Sequence, residues 1–250
     1  MGCSSSGGAG KGAKGGGSAT NKPQSISETK DLQQLHDFMY NKYGIRVDTQ
    51  SLAGTDFEAV KQAAQGMASV IDEFPQAADC FHELKGDALN PNVLANASYH
   101  GVVTVNSGEY RSNARLKKTY GASTDSGFHP KGTKAEHITS HEAGHILEKA
   151  LIDKYVSDPR GGIYDRAKKV DAWNKSTYTK KVISEACKAA KKTPEGKGKK
   201  NIDLIAGVSR YAKVNRSETL AECVADYIAN REKASPLSIQ VWKILKREFG

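Results

Sequence analysis

The sequence predicts an α+β fold that is mostly helical and contains a small sheet. Two observations support this prediction. Apolar side chains recur at helical spacing in most segments from about residue 30 to the C-terminus. The segment Gly101–Asn106 (Gly-Val-Val-Thr-Val-Asn) combines β-branched residues with flanking turn residues, which is typical of a strand. No internal repeat is visible, and the sheet is expected just before the helix predicted over residues 134–155.

Composition and hydropathy are typical of a soluble protein. With 250 residues and a mass of 26.9 kDa, the chain is long enough for one substantial domain or two small ones. Mean hydropathy is −0.59, and without an apolar run of about 18 residues no membrane-spanning segment is predicted. No secretory signal is recognised, so a cytoplasmic location is expected. The cysteines form no C-x-x-C pair and are expected to be free thiols rather than ligands of a finger-type zinc site. They are Cys3, Cys80, Cys187 and Cys223.

Residues 1–24 are predicted to be a flexible tail, because Gly, Ser, Ala and Lys leave almost no apolar surface to bury. The segment Met1–Ser6 (Met-Gly-Cys-Ser-Ser-Ser) formally fits an N-myristoylation motif with a neighbouring cysteine. An accidental match within a glycine- and serine-rich tail is the favoured interpretation. Residues 25–250 are expected to form the folded domain.

In the first half of the domain, helices are predicted where apolar residues recur at helical spacing, and they end at Gly or Pro. The predicted elements, in order, are a helix carrying Leu32, Leu35, Phe38, Met39 and Tyr43 that ends at Gly44, a short strand Ile45–Asp48, a helix Asp56–Phe74, a weaker helix Ala77–Leu84, the strand Gly101–Asn106 and a polar loop over 107–132. Pro75 is expected to stop the second helix.

The second half of the domain is predicted to be almost entirely helical. A helix over about Lys134–Tyr155 is expected to begin at a capping box formed by Thr133 and Glu136. After a break at 157–162, the predicted elements are helices Tyr164–Asn174 and Tyr178–Lys192, a loop Thr193–Lys200, and helices Asn215–Arg231 and Pro236–Phe249.

The net charge of +9 is unevenly distributed, and residues 160–200 are interpreted as a lysine-rich helical insertion. Its lysine cluster comprises Lys180, Lys181, Lys188, Lys191, Lys192, Lys197, Lys199 and Lys200. A nucleic-acid surface is one interpretation of this cluster. Arginine is absent from it and aromatic residues are few, so a solvated helix and loop is the favoured interpretation.

The segment His141–His145 reads His-Glu-Ala-Gly-His, an H-E-x-x-H motif inside a predicted helix. On a helix, His141 and His145 leave the same face one turn apart, so their imidazoles can hold one Zn²⁺. Glu142 would then take a proton from a zinc-activated water. The alternative is an exposed polar helix face, because so short a motif also occurs by chance. His137 lies about 12 Å from His145 along a helix, too far to share one ion, and is predicted to be a surface residue or to support a ligand.

A catalytic zinc site needs a third protein ligand and an open position. No histidine follows His145, so a downstream carboxylate is the expected third ligand. Glu218, Glu222 and Asp226 recur every fourth residue on one predicted helix, beside small residues such as Ala221 that would allow close helix packing. Such a stripe is also typical of a solvated face, and Glu218 equally fits the first turn of a capped helix. Spacing does not choose between Glu218 and Glu222.

Three short segments resemble the gluzincin metallopeptidases of the lethal-factor type, which include toxin-borne and phage head-associated members. They are Phe128–Thr133 leading into Ser140–His145, Tyr211 seven residues before Glu218, and Ser217–Glu222. The resemblance implies a zincin-like fold, one Zn²⁺ per chain and endopeptidase activity. It also implies Glu218 as the third ligand, Glu222 as the hydrogen-bond partner of a ligand imidazole, and Tyr211 as a donor to the developing oxyanion.

The resemblance further implies where a peptide or protein substrate binds. In such peptidases an edge strand before the active-site helix pairs with the extended peptide, so Val103, Thr104 and Val105 are the predicted substrate-binding residues. A virion-associated location and a capsid partner would fit the phage members. Two alternatives stay open: a catalytically silent virion structural or binding protein with this fold, and a basic nucleic-acid-binding protein.

Overall fold

The structure, a computed structural model that describes residues 23–250, has an α+β fold. Helical residues make up 62% of the described residues, and the strands form one four-stranded sheet, so the predicted fold class is confirmed. Between residues 23 and 250, no helix is both long and apolar enough to span a membrane. The motif Met1–Ser6 and almost all of the predicted tail lie outside the described residues.

The described residues form nine α-helices, and most of those that the sequence predicts begin and end close to the positions that apolar spacing and capping residues indicate. They are α1 (Leu32–Tyr43), α2 (Phe57–Glu73), α3 (Asn113–Asp125), α4 (His137–Tyr155), α5 (Gly162–Asn174), α6 (Thr177–Ala190), α7 (Asn201–Ala206), α8 (Arg216–Asn230) and α9 (Pro236–Phe249). Side-chain oxygens of Asp31, Asp56 and Asn215 accept backbone N–H groups in the first turns of α1, α2 and α8. Gly44 ends α1 at a φ of 72°, a conformation that glycine adopts without strain.

The sheet has the strand order β1-β2-β4-β3. The strands are β1 (Arg46–Val47), β2 (Glu83–Asp87), β3 (Ala95–Ala97) and β4 (Val102–Asn106). β1, β2 and β4 are parallel, and β3 runs antiparallel to β4. The prediction that β4 is an edge strand is therefore wrong, because both of its sides are paired. The edge is β3, whose sequence Ala-Asn-Ala has low strand propensity and gives no local indication of a strand.

The predicted helix Ala77–Leu84 is wrong, because the end of this segment belongs to the strand β2. The chain forms a 3₁₀ turn over Pro75–Cys80 and then enters the strand. Within β2, Leu84 and Gly86 are buried while their neighbours are more exposed, which is the period of a strand. β1 and β4 pair with β2 on both sides, so its ladder partners come from segments that local sequence does not reveal.

The predicted polar loop over 107–132 is wrong in its middle, where α3 forms. Only Leu116, Tyr120 and Thr124 of α3 are buried, so its apolar stripe is too narrow to stand out in the sequence. The short helix α7 is also missing from the predicted elements. Its six residues are too few for a periodic pattern.

α4 begins at His137, later than predicted, and the predicted capping box does not form. Thr133 instead donates its hydroxyl hydrogen to the carbonyl of Pro130 (2.7 Å) and accepts one from Tyr120 (3.2 Å). The prediction of a surface position for His137 is wrong, because its ring is buried and Nδ1 accepts the backbone N–H of Lys134 at 2.9 Å. His137 therefore stabilises the turn that leads into α4.

α4 is the central helix of the domain and packs between α2 and α8. On the α2 side, Thr139 and Ser140 donate hydroxyl hydrogens to the backbone carbonyls of Ala63 (2.7 Å) and Gly66 (3.0 Å). A Cβ at Gly66 would lie 2.0 Å from the carbonyl oxygen of Glu136, so this close approach requires glycine. These contacts fix the position of α4 along its axis.

On its other side, α4 lies directly against α8. A Cβ at Gly144 would lie 2.7 Å from Cα of Ala221, so the backbones of the two helices are in close contact. Ala221 is fully buried, as expected for one of the small residues that are predicted to allow close helix packing. The close approach brings the first two turns of α8 alongside His141 and His145.

The lysine-rich region 160–200 is partly built into the core. α6 buries Val182, Ile183 and Ala186 in the main core, while the eight clustered lysines are exposed. α5 carries Trp173, whose ring centroid lies 6.4 Å from that of His145. This region therefore borders the site that α4 and α8 form.

Candidate metal centre and cleft

α4 and α8 bring together three of the predicted site residues. Nε2 of His141 lies 3.0 Å from Oε2 of Glu218, and Nε2 of His145 lies 3.5 Å from the same oxygen. One ligand atom from each of the three residues lies within 4.8 Å of the others, so the cluster could hold a metal ion. Four-coordinate ions with bonds of ~2.0–2.1 Å keep their ligand atoms roughly 3.3 Å apart, a spacing that the two measured distances bracket.

The contacts between the imidazoles and Glu218 are not aligned as hydrogen bonds. Oε2 of Glu218 is buried and accepts no hydrogen bond. A buried carboxylate oxygen without a donor costs free energy unless a positive group faces it. A cation bound among these three atoms would offset that cost.

The Nδ1 atoms of both histidines are engaged on the other side of their rings. Nδ1 of His141 donates to Oε1 of Glu222 at 2.8 Å. Nδ1 of His145 lies 3.0 Å from Oγ of Ser217. A neutral imidazole that donates from Nδ1 has its lone pair on Nε2. Both rings are therefore held in the tautomer that a metal ligand needs at Nε2.

Glu222 also binds His129, for which the sequence predicts no role. Its Oε1 accepts a second hydrogen bond from Nδ1 of His129 at 3.0 Å. Burial opposes ionisation, but His129 and His141 lower the pKa of Glu222 to about 2, so this side chain is a carboxylate at neutral pH. His129 belongs to the segment Phe128–Thr133, and its ring stacks on that of Tyr120 with centroids 5.0 Å apart.

The side chain of His145 is supported by Ser217, Glu148 and Thr179. The sequence does not predict this role for any of the three. Ser217 donates its hydroxyl hydrogen to Oε2 of Glu148, which leaves Oγ free to accept from His145. Thr179 of α6 donates to the other oxygen of Glu148. Burial raises the pKa of Glu148, and the two hydroxyl groups oppose that rise. The one sequence feature that points to Glu148 is its place on the motif helix, three residues after His145.

Glu142 lies buried beside the three converging atoms. Burial raises the pKa of Glu142, and the imidazoles of His141 and His145 and a hydrogen bond from the backbone of Ala97 oppose that rise only in part. A carboxyl group with a raised pKa is better matched to proton transfer near neutral pH than an ordinary one.

The ring of Tyr211 contacts the ring of His141, with ring centroids 5.8 Å apart. Its backbone N–H donates to the carbonyl of Phe128 at 3.0 Å, which ties the turn carrying Tyr211 to the segment before α4. Burial and the nearby carboxylates, first Glu218, raise the pKa of Tyr211 to about 12. Its hydroxyl therefore keeps its proton at neutral pH and can donate a hydrogen bond.

The predicted substrate-binding residues are not at the site. Val103 and Val105 are fully buried and Thr104 is 7% exposed. Because β4 is paired on both sides, its backbone cannot accept a further strand. The prediction for Val103, Thr104 and Val105 is therefore wrong.

β3 has the open edge that β4 lacks. The carbonyl of Leu94 and the N–H of Ser98 bond to β4, each at 2.9 Å. Because these groups alternate along an antiparallel strand, Ala95 and Ala97 direct their backbone N–H and C=O groups away from the sheet. The backbone of Ala97 bonds to Glu142, so the open edge ends beside that carboxylate.

A cleft of about 630 Å³ is lined by Glu142, by Ala95 of β3 and by residues 91–94 that precede this strand. Apolar and aromatic side chains form much of its wall, and Arg210 lies on its lining. The apolar lining residues include Leu94, Tyr120, Phe128 and Ile138. Clefts of this size are typical of sites that bind small molecules or peptide side chains.

The cluster attracts positive charge. Burial opposes protonation of His141, yet Glu218 and Glu222 raise its pKa well above the ordinary value. Conversely, despite burial, the imidazoles of His141 and His145 hold the pKa of the Glu218 carboxyl below its usual range. A metal ion at this point would compete with the proton on His141.

Comparison of the chain with protein-family models, curated proteins and solved structures finds no match. The resemblance to gluzincins therefore rests on the residues of the three short segments.

Proposed function

We propose that this protein is a zinc-dependent endopeptidase with a zincin-like fold and a gluzincin ligand set. The observation that carries the proposal is the convergence of Nε2 of His141, Nε2 of His145 and Oε2 of Glu218 beside the buried carboxyl of Glu142. Two imidazoles and one glutamate are the ligands of catalytic zinc in one class of metallopeptidases.

The donor atoms suit zinc better than magnesium or calcium, which prefer oxygen ligands. His141, His145 and Glu218 would hold one ion per chain, and Glu222 and Ser217 would keep the imidazoles correctly oriented. When bound, Zn²⁺ supplies Lewis acidity that lowers the pKa of a water molecule and polarises a substrate carbonyl group.

Glu142 and Tyr211 would carry out the proton transfer and the charge stabilisation. Glu142 would take a proton from the attacking water and pass it to the leaving amine, a role that its raised pKa favours. Tyr211 would donate a hydrogen bond from its protonated hydroxyl to the developing oxyanion, since its pKa of about 12 keeps the proton in place.

An extended peptide would bind along β3. The outward-facing backbone N–H and C=O of Ala95 and the C=O of Ala97 offer hydrogen bonds to a further strand, and the adjoining cleft would receive side chains of the peptide. The hydrogen bond from Ala97 to Glu142 would place the peptide backbone next to the general base.

The test uses full-length protein loaded with Zn²⁺ and a peptide library prepared by digesting a cell extract, with new termini identified by mass spectrometry. Wild type should cleave internal peptide bonds, and chelation should stop it. Glu142→Gln should retain zinc and lose about 100-fold or more in rate, because a general base is removed without a ligand. Glu195→Gln, which changes an exposed carboxylate, is the matched control.

Two results would refute the proposal. One is the absence of cleavage by wild type that carries one zinc per chain. The other is cleavage by Glu142→Gln at the rate of the Glu195→Gln control, which would assign the activity to another group or to a contaminant.

A further inference from the structure

Arg210 differs from most arginines of this domain in having no carboxylate partner. Its Nη2 donates to Oγ of Ser126 at 3.2 Å, and Cζ lies 5.9 Å from the ring centroid of Phe128. Among residues 23–250, no ion pair to Arg210 is found, and its side chain is exposed. The arginines that do pair with carboxylates are Arg46, Arg115, Arg160, Arg231 and Arg247. A guanidinium on the wall of the cleft thus has unused hydrogen-bond donors.

The position of Arg210 is fixed by its backbone. Its N–H donates to the carbonyl of Gly127 at 2.9 Å, and the N–H of the next residue, Tyr211, donates to the carbonyl of Phe128 at 3.0 Å. The Phe128 and Tyr211 rings are 5.2 Å apart, and Tyr211 in turn contacts His141. Two rings, those of Phe128 and Tyr211, therefore lie between the guanidinium and His141, a separation that a few residues of extended peptide can span.

The charge of the cleft favours an anion at this point. Glu142, at the metal centre, is the sole carboxylate among the described residues that line the cleft. Burial raises the pKa values of Tyr120 and Tyr211, so neither phenol is charged near neutral pH. Arg210 is the sole arginine or lysine among the described residues that line the cleft, and its guanidinium carries a positive charge.

We infer that Arg210 binds a carboxylate of the peptide substrate and thereby selects peptides with an acidic side chain, or a free C-terminal carboxylate, near the cleaved bond. This inference rests on the proposed peptidase function. A guanidinium presents five N–H donors in a planar fork that matches a carboxylate, and Ser126 occupies one of them. The Phe128 ring, whose centroid lies 5.9 Å from Cζ, borders the guanidinium on one side.

The test starts from a peptide that zinc-loaded wild type cleaves. Glu and Gln versions are made at each of several positions on both sides of the cut, together with free-acid and amide forms of the C-terminus. For wild type, kcat/KM should be about tenfold or more higher for the charged member of at least one pair. Arg210→Gln should bring that ratio close to one, and Arg210→Glu should favour a Lys version of the same peptide. The position of the effect separates an internal acidic residue from a C-terminal carboxylate.

Arg111→Gln is the matched control, since Arg111 is exposed and lies outside the cleft lining. It should keep the wild-type ratio. Ratios near one for wild type at every position, or an unchanged ratio in Arg210→Gln, would overturn the inference while leaving the peptidase proposal intact. Zinc-loaded wild type that cleaves no peptide would overturn the peptidase proposal and this inference with it.

Discussion

Glu222 and His141 are joined by a 2.8 Å hydrogen bond from Nδ1 of the imidazole to Oε1 of the carboxylate. Glu218, one turn earlier on α8, faces the other nitrogen of the same ring at 3.0 Å. One helix therefore supplies a carboxylate to each nitrogen of one imidazole. The positions of Glu218 and Glu222 therefore differ in the structure, whereas their spacing in the sequence does not distinguish them.

Glu222→Gln is expected to weaken zinc affinity by about 10–100-fold without removing the site, because the imidazole of His141 loses its charged partner. Zinc titration by calorimetry or with a competing chelator measures the change. Asp226→Asn is the matched control, since Asp226 lies one turn further along the same helix and bonds to the backbone of Ser235 instead. Equal losses in both variants would show a general effect on α8 rather than a specific one on His141.

Ser217→Ala is expected to weaken zinc binding by about tenfold, because Nδ1 of His145 loses its acceptor. Thr179→Val provides the comparison. Both changes remove a hydroxyl that donates to Glu148, but only Ser217 also contacts His145. The Tm should therefore fall in both variants, whereas zinc affinity should fall mainly in Ser217→Ala. A zinc affinity that falls only in Thr179→Val would contradict this assignment.

The stabilisation that zinc gives should increase as the pH rises through the range in which His141 titrates. In metal-free protein the pKa of His141 is raised above its ordinary 6.5, so between 6.5 and the folded-state pKa the folded state binds more protons than the unfolded state. The stability that this proton contributes is fully present below pH 6.5 and is lost as the pH rises. Zinc replaces that proton. The rise in Tm that zinc causes should therefore grow between about pH 6 and pH 8.

Differential scanning calorimetry with excess chelator or with zinc measures this dependence. In metal-free His141→Asn, which lacks the titrating group, Tm should fall less steeply with pH than in metal-free wild type. Glu218 and Glu222 have lowered pKa values, so the stability they contribute is lost only at acidic pH, as the pH falls from 4.5 through their folded-state values. A zinc-induced rise in Tm that shrinks as the pH increases would contradict the assignment of His141.

The helices that carry the site could be predicted because their determinants are local. The cap at Asn215, the apolar spacing of α8 and the H-E-x-x-H spacing of α4 can all be recognised within a few turns of chain. From these, His141 and His145 emerge as a ligand pair, with Glu218 and Glu222 as the candidates for a third ligand. The choice of Glu218 is implied by the resemblance to gluzincins.

What could not be predicted depends on contacts between distant segments. β3 is too short and too rich in alanine to be recognised in the sequence. The sequence therefore predicts β4 as the edge strand, whereas the edge of the sheet is β3. Ser217 and Glu148 are ordinary polar residues in the sequence, and only the close contact of Gly144 with Ala221 brings them together across two helices. The prediction of an open edge at β4 is wrong for this reason, whereas His141, His145 and Glu218 do converge.

The zinc content of the purified full-length protein tests most directly whether His141, His145 and Glu218 form a zinc centre. Each variant is loaded with Zn²⁺, freed of excess metal and analysed by mass spectrometry of the element. Wild type and the exposed-site control Glu195→Ala should carry about one zinc per chain. Glu218→Ala should carry almost none, and Glu222→Ala should retain part of it.

Full zinc content in Glu218→Ala together with loss in Glu222→Ala would exchange the roles of these two residues. The absence of zinc from wild type, or one zinc per chain in a protein that lacks both His141 and His145, would contradict the account as a whole.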